Sequence, residues 1–217
     1  GFVILLSLEH LEKSGQFIIN RISRLYPAYW ISVTTTFSLM LVYGIYTMDL
    51  GEISIVNYLG NMTMFHFYLN IPNLDNSYWT MIIEMLFYVF MLILFHFKSM
   101  KHLNKIGVLL TFLSVLLSFL RMHNNLIWAI FHWIPILEFW PLFFTGILFY
   151  KIKTKSINRI KYLGMIIICL ASQIFIFNYS GRSKYIDYWG YTLMLILHFS
   201  IFTLFVNGKL KFIITKP

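Results

Sequence analysis

The chain has 217 residues, of which 59% are hydrophobic and only 12% are charged, whereas soluble domains average about 25% charged residues. Long apolar runs account for this deficit. They exclude an ordinary soluble domain and predict an all-α fold, a polytopic bundle of transmembrane helices. The formal charge of +9 does not indicate nucleic-acid binding, because the basic residues form short clusters between apolar runs rather than one solvated face. The single cysteine, Cys169, excludes an intrachain disulfide.

The two ends of the chain predict a domain that continues beyond them. Residues 1–8 are apolar but too few to cross a bilayer, and they carry neither the basic region nor the cleavage site of a signal peptide. We expect residues 1–8 to be the end of a span and count them as one partial span. Residues 209–217 have the character of a loop that leads into a further segment. On this interpretation residues 1–217 form a single transmembrane domain that is incomplete at both ends.

Six fuller apolar segments follow the partial span. Each approaches the length of about 17–25 residues that a membrane crossing requires. We expect Lys105 or Arg121 to snorkel from the ends of the third, which is short, and Pro135 to kink the fourth. Five tryptophans at or near the segment ends predict an aromatic belt; they are Trp30, Trp79, Trp133, Trp140 and Trp189. The segments lie near 29–45, 78–97, 106–120, 135–150, 162–177 and 188–206.

Basic residues alternate along the connecting segments. Fourteen of the 17 Lys and Arg residues lie in every second connection, and the other three are Arg121, Arg182 and Lys184. The positive-inside rule therefore predicts that the richer set is cytoplasmic and that these three are not. The segment 46–77 is then the longest non-cytoplasmic stretch. Its half-apolar middle, 53–69, either dips back into the membrane or lies along the interface. Its polar residues are Asp49, Glu52, His66 and Asp75 among others.

Arg21 and Arg24 are three residues apart, a spacing that places both guanidinium groups on one face of a helix. Apolar neighbours predict an amphipathic helix at the inner surface, and Pro27 is expected to reset the backbone before the span. Two arginines on one face suit a phosphate or a carboxylate. The alternative is an ordinary anchor to anionic lipid.

Glu84 lies inside an apolar segment, where a carboxylate costs a few kcal/mol and indicates a functional site by default. Thr80 and Tyr88 are four residues before and after it, so the three predict one polar stripe facing the bundle interior. A buried carboxyl there suits proton exchange or the holding of a hydroxyl. The alternative is a structural carboxyl bonded to a neighbouring helix.

The remaining polar groups give weaker predictions. His198 is in the middle of a span and is the best internal candidate for a base, although a lone helical histidine is more often a packing group. Glu138 is near an outer end and is expected to reach water. The sequence contains no metal-binding spacing, no Gly-rich phosphate loop, no GxSxG elbow and no dinucleotide fingerprint. His96 and His102 are expected at the inner interface, and His66, His123 and His132 in the outer region.

Two motifs carry a resemblance to a known family. The run Arg21-Ile-Ser-Arg24-Leu-Tyr-Pro-Ala-Tyr-Trp resembles the RxxR-L/I-x-P-x-Y-W signature of the acyltransferase 3 family of integral membrane proteins. Trp79-Thr-Met-Ile-Ile-Glu84-Met-Leu-Phe-Tyr88 is similar to that family's W-S/T-L-x-x-E-x-x-F-Y segment. Residues 1–4 and 141–148 resemble two further segments more weakly. Order and spacing agree along essentially the whole chain.

The resemblance implies a membrane O-acyltransferase. Its members move acyl groups, commonly acetyl from acetyl-CoA, to hydroxyls of surface sugars. The donor lies on the cytoplasmic side and the acceptor usually on the other. The resemblance implies donor binding by Arg21 and Arg24 and a catalytic role for Glu84, with Trp79 and Tyr88 near the substrate. It also implies membrane lipid, acyl-CoA and a saccharide acceptor as partners, no tightly bound cofactor, metal or nucleic acid, and a multi-pass protein of the bacterial plasma membrane.

One departure from the family pattern concerns the base. The family's essential histidine lies on a span that would precede Gly1, so the resemblance implies that these 217 residues alone lack the base and are inactive. His198 does not match that histidine. A transporter or flippase of lipid-linked saccharides is the rival interpretation, although transporters favour inverted repeats and none is visible here. A non-catalytic membrane scaffold is a third.

Overall fold

A computed structural model describes residues 1–9, 11, 13–47, 54–121, 124–154, 159–206 and 208. Within these ranges every regular element is helical and no strand occurs, so the predicted all-α fold is confirmed. Residues such as Asp49, Glu52 and His123 lie outside the described ranges. The helices are α1 (Phe2–Leu8), α2 (Ser14–Thr47), α3 (Ile55–Met62), α4 (Trp79–His96), α5 (Leu103–Leu120), α6 (Asn125–Trp133), α7 (Ile136–Thr154), α8 (Arg159–Asn178) and α9 (Tyr188–Val206).

Five of these helices are long and apolar enough to cross a membrane, namely α2, α4, α5, α8 and α9. The bent pair α6 and α7 makes a sixth if it is counted as one span, with an angle of 53° at the break. The bend follows from Pro135, because proline lacks an N–H and pushes the preceding residue out of helical geometry. Ile134 accordingly has φ −126° and ψ 66°. All six predicted segments and the predicted kink are therefore present.

The chain divides into two compact units. Unit 1 comprises Gly1–His10 and Lys98–Pro217, and unit 2 comprises Leu11–Phe97. Each unit has its own buried core.

In unit 1 the core is built around α7, which packs on α1, α5, α8 and α9. Trp140 of α7 is only 1% exposed, and its indole Nε1 donates a hydrogen bond to the Gly107 carbonyl of α5 at 3.0 Å. Phe144 lies so close to Gly107 that a Cβ there would be 2.1 Å from the phenyl ring. Trp140 therefore belongs to the core, and its assignment to an aromatic belt was wrong. A buried indole needs a hydrogen-bond acceptor, and the close approach of α5 supplies one.

In unit 2, α2 is one continuous helix of 34 residues that contains Pro27. At 1.5 Å per residue it is about 51 Å long. The prediction that Pro27 separates a surface helix from a span was therefore wrong. Contacts on the turn after the proline hold the helix together. The Tyr29 hydroxyl donates to the Asn61 carbonyl at 2.8 Å, and Trp30 Nε1 donates to the Met62 carbonyl at 3.0 Å.

Helix α4 runs antiparallel to α2. At one end the Tyr78 hydroxyl, just before α4, shares hydrogen bonds with Ser32 Oγ at 3.2 Å and Thr36 Oγ1 at 2.9 Å. At the other end His96 Nδ1 is 3.4 Å from Ser14 Oγ. The full length of α4 is therefore matched to the first two-thirds of α2.

Between these two helices in the chain, residues 54–78 fold back along α2. Tyr58 of α3 is bonded to Thr34 Oγ1 at 3.0 Å, and farther along the carbonyl of Thr63 accepts a bond from the Tyr26 hydroxyl at 3.1 Å. The segment thus returns to the level of Tyr26 before it turns.

Candidate functional site

Arg21 lies inside unit 2 between two aromatic rings. Arg21 is only 7% exposed. Its guanidinium carbon is 5.4 Å from the ring centroids of both Phe17 and Tyr88. Phe17 is one turn earlier on α2, and its ring meets the Tyr88 ring edge to face at 6.4 Å. Two ring faces stabilise a cation that has been taken out of water.

Tyr88 connects this arginine to the acidic motif. Its hydroxyl donates a hydrogen bond to Glu84 Oε1, one turn earlier on α4. Glu84 is half-buried. We call Phe17, Arg21, Glu84 and Tyr88 the Arg21 site. Because Tyr88 contacts Arg21 through its ring and Glu84 through its hydroxyl, one side chain joins the two motifs that the sequence singled out.

Thr80 does not belong to this site. Its hydroxyl donates to the Ser77 carbonyl at 2.8 Å, and the residue is exposed. The polar stripe on α4 therefore consists of Glu84 and Tyr88. Trp79 is 37% exposed and nine residues before Tyr88, which is about 14 Å along the helix axis.

The depth of the Arg21 site differs from the sequence-based expectation. Tyr88 is at the middle of α4, so Arg21 is level with the middle of this candidate span rather than with its inner end. An arginine at that level is costly unless it faces the protein interior, and such residues mark functional sites by default. The interior placement of Arg21 satisfies this condition.

Arg24 differs from Arg21 in its surroundings. It is exposed, and a three-residue step places it about 60° around the helix from Arg21. The two arginines therefore share one side of α2, as expected, but only Arg21 enters the core. The two side chains therefore differ in their access to the surface of unit 2.

An apolar cleft of about 570 Å³ lies elsewhere on unit 2, lined by Tyr26, Trp30, Met62, Thr63 and Phe65. Tyr26 and Trp30 are about 120–160° around α2 from Arg24. The cleft is therefore on a different side of the helix from the Arg21 site.

In the segment 54–78 the pKa values of His66 and Asp75 are lowered. Burial lowers the pKa of His66, which is fully buried, and its hydrogen bond with Asn73 partly opposes the shift. Hydrogen bonds from the Ser77 hydroxyl and N–H lower the pKa of Asp75. Burial thus favours the neutral form of His66 within the segment 54–78.

His198, the internal candidate for a base, is exposed on α9, and its Nδ1 donates to the Met194 carbonyl at 2.7 Å. This bond within one helix turn is the ordinary structural arrangement of a helical histidine. Across the described ranges, no three His, Cys, Asp or Glu residues lie close enough together to hold a metal ion.

Glu138 is buried in unit 1, at 7% exposure. Its Oε2 is 3.6 Å from Arg121 Nη1, and its Oε1 is 3.5 Å from Arg182 Nη1. The expectations that Glu138 reaches water and that Arg121 snorkels were therefore wrong. The end of α5, the start of α7 and the turn after α8 meet at one end of unit 1, which brings the three side chains together. The sequence predicted that all three residues lie on the same side of the membrane. It gave no sign that their side chains meet, because they are far apart in the chain.

These observations define a multi-pass helical membrane protein with a cation, an aromatic hydroxyl and a carboxylate joined in its interior. The family model described as an acyltransferase domain, Acyl_transf_3, matches residues 1–214. The chain therefore belongs to the acyltransferase 3 family of membrane acyltransferases, as its motifs indicated. No curated protein and no solved structure matches the chain.

Proposed function

We propose that the chain is part of a membrane O-acyltransferase that moves an acetyl group from acetyl-CoA to a hydroxyl of a cell-surface polysaccharide in the bacterial plasma membrane. The observation that carries this proposal is the contact of Tyr88 with both Arg21 and Glu84 in the interior of a chain of this family. It joins the arginine motif and the glutamate motif in one site.

The two arginines have different roles in this proposal. Arg24 is exposed and binds the CoA phosphates, because a guanidinium group matches phosphate oxygens bidentately. At its level beside α4 an exposed cation has little access to bulk water, so a bound anion is its natural partner. Arg21 is held between Phe17 and Tyr88 and acts as a positioning residue.

The carboxylate completes the site. Glu84 accepts the Tyr88 hydroxyl bond and so fixes the ring on which Arg21 lies. In the reaction the sugar oxygen attacks the thioester carbonyl, the new C–O bond forms and the C–S bond breaks. A general base takes the hydroxyl proton and passes it to the departing CoA thiolate. Glu84 orients the groups around this proton transfer.

The test is transfer of labelled acetyl from acetyl-CoA to polysaccharide, measured in membranes that contain the intact protein. We expect Arg24→Ala to raise the KM for acetyl-CoA about tenfold or more, since a charged hydrogen bond is lost. Lys13→Ala is the matched control, because Lys13 is exposed just before α2 and also belongs to the basic set. Equal effects of the two changes would remove the donor role of Arg24.

The acetyl-transfer assay, combined with a measurement of lipid-linked saccharide crossing the bilayer, distinguishes the transferase from a transporter. Label that never reaches polysaccharide, together with lipid-linked saccharide that still crosses the bilayer, would replace the transferase with a transporter.

A further inference from the structure

A second polar site lies in unit 1. Arg121 and Arg182 approach different oxygens of the Glu138 carboxylate, at 3.6 and 3.5 Å. The carbonyl of Glu138 also accepts a bond from Gln173 Nε2 at 3.2 Å. We call Arg121, Glu138, Gln173 and Arg182 the arginine cluster. Arg121 and Arg182 are two of the three Lys and Arg residues that the charge pattern predicts to be non-cytoplasmic.

The charges of the arginine cluster do not balance. Among the residues that the structure describes, two guanidinium groups approach the one Glu138 carboxylate, so positive charge predominates at a largely buried position. Both N···O distances exceed the roughly 2.7–2.9 Å of a charge-assisted hydrogen bond. Glu138 therefore pairs with the two arginines electrostatically, and the cluster would attract an incoming anion.

Unused hydrogen-bonding atoms point to the same conclusion. Arg121 is 8% exposed, and its Nε has no hydrogen-bond partner among the residues that the structure describes. Gln173 is 2% exposed, and its Oε1 likewise has no partner in the described part of the chain. A buried donor and a buried acceptor left open in one cluster suit a ligand that carries both an anionic group and hydroxyls.

Aromatic rings form the walls of the cluster. The Arg121 guanidinium lies 4.1 Å from the ring centroid of Trp128, and the Arg182 guanidinium lies 4.3 Å from that of Phe139. Trp128 is 49% exposed, and the Arg182 side chain is 34% exposed. The cluster is thus reachable from outside, and its entrance presents an indole, a surface on which the apolar face of a sugar ring packs.

We propose that the arginine cluster binds the carboxylate or phosphate group of an anionic saccharide, the acceptor of the proposed acyl transfer. The identification of this saccharide as the acceptor rests on the proposed function, whereas the binding of an anionic saccharide does not. An anionic lipid headgroup has the same anionic chemistry. The exposed indole of Trp128 favours the saccharide, because a sugar ring has an apolar face that packs on an indole and a linear headgroup has none.

The test is binding of a glucuronate-containing tetrasaccharide to the protein in phosphatidylcholine nanodiscs, with a neutral glucose tetrasaccharide for comparison. We expect the anionic saccharide to bind more tightly and Arg182→Gln to weaken its binding about tenfold. Lys184→Gln is the matched control. It removes one exposed cation two residues away and should change the affinity less than twofold.

A second pair of variants covers a failure of Arg182→Gln to fold. Trp128→Leu should weaken binding of the anionic saccharide several-fold, whereas Trp133→Leu, at a tryptophan 52% exposed on the same helix, should not. Arg182→Lys, which keeps the charge, should retain most of the affinity.

Several results would overturn the inference. Equal losses of affinity in Arg182→Gln and Lys184→Gln would show that the general surface potential, rather than the arginine cluster, attracts the saccharide. Equal affinity for the anionic and the neutral saccharide would show that the cluster does not recognise an anionic group. Binding abolished by phosphatidylglycerol in the nanodiscs would assign the cluster to lipid. The titration contains no acyl-CoA, so saccharide binding without acetyl transfer would contradict the proposed function alone. Acetyl transfer with no effect of Arg182→Gln on saccharide binding would contradict this inference alone.

Discussion

Removal of Arg21 should loosen the interior of unit 2, whereas removal of Arg24 should not. The guanidinium of Arg21 lies 5.4 Å from both the Phe17 and Tyr88 centroids at a buried position. Each such contact contributes about 0.5–2 kcal/mol. The two contacts together predict that Arg21→Ala lowers the free energy of local unfolding around Tyr88 by about 1–4 kcal/mol. Arg24 is exposed, and Arg24→Ala should stay within about 0.5 kcal/mol of the unchanged protein.

Hydrogen exchange of the α4 amides, followed by mass spectrometry in nanodiscs, measures this difference locally. Each 1.4 kcal/mol corresponds to about a tenfold change in the opening equilibrium. Arg21→Ala should therefore accelerate exchange around Tyr88 by about fivefold to several hundredfold, and Arg24→Ala by less than about threefold. Equal protection in the two variants would refute the assignment of different roles to the two arginines.

Three further predictions concern single side chains. Tyr88→Phe keeps the ring but loses the hydroxyl bond to Glu84, so acetyl transfer by the intact protein should show a lower kcat with little change in the KM for acetyl-CoA. His66 has a pKa lowered by burial. The unfolded segment therefore binds a proton near pH 6.5 that the folded segment does not bind. Protection factors in 54–78, which correct each observed rate for the intrinsic exchange rate at that pH, should fall as pH decreases below about 6.5, by up to about 1.4 kcal/mol per unit. Gly107→Ala should destabilise by about 1–3 kcal/mol, since its Cβ would overlap a phenyl ring, whereas Gly164→Ala, with open space around it, should stabilise by about 0.5–1 kcal/mol in thermal unfolding.

The controls for these predictions lie in the same chain. His132 is exposed, so His132→Gln should leave the pH dependence of exchange in 54–78 unchanged, while His66→Gln should remove it. A pH dependence that survives in His66→Gln would assign it to another group. A fall in kcat for Tyr88→Phe that is accompanied by an equal loss of α4 protection would indicate a structural role for the hydroxyl.

The spans were predictable because their cause is local. A run of apolar residues long enough for the bilayer needs no knowledge of its neighbours, and Pro135 produces a bend through its own chemistry. The continuity of α2 was not predictable in this way. Pro27 favours a break, and the bonds of Tyr29 and Trp30 to the segment 54–78 outweigh it.

The same distinction holds for the sites. The bond between Glu84 and Tyr88 follows from a four-residue spacing on one helix. The contact of Arg21 with Tyr88 depends on how α2 and α4 pack, which no spacing in the sequence reveals. The pairing of Glu138 with two arginines from other helices is of the same kind, and a prediction of its exposure from local sequence failed for that reason.

Acetyl-CoA affinity tests the central claim most directly. Equilibrium binding of acetyl-CoA to the protein in nanodiscs should weaken about tenfold or more in Arg24→Ala, while Lys13→Ala should remain within twofold of the unchanged protein. Affinity that is the same in all three proteins, or lost equally in both variants, would contradict a donor site at the arginine motif.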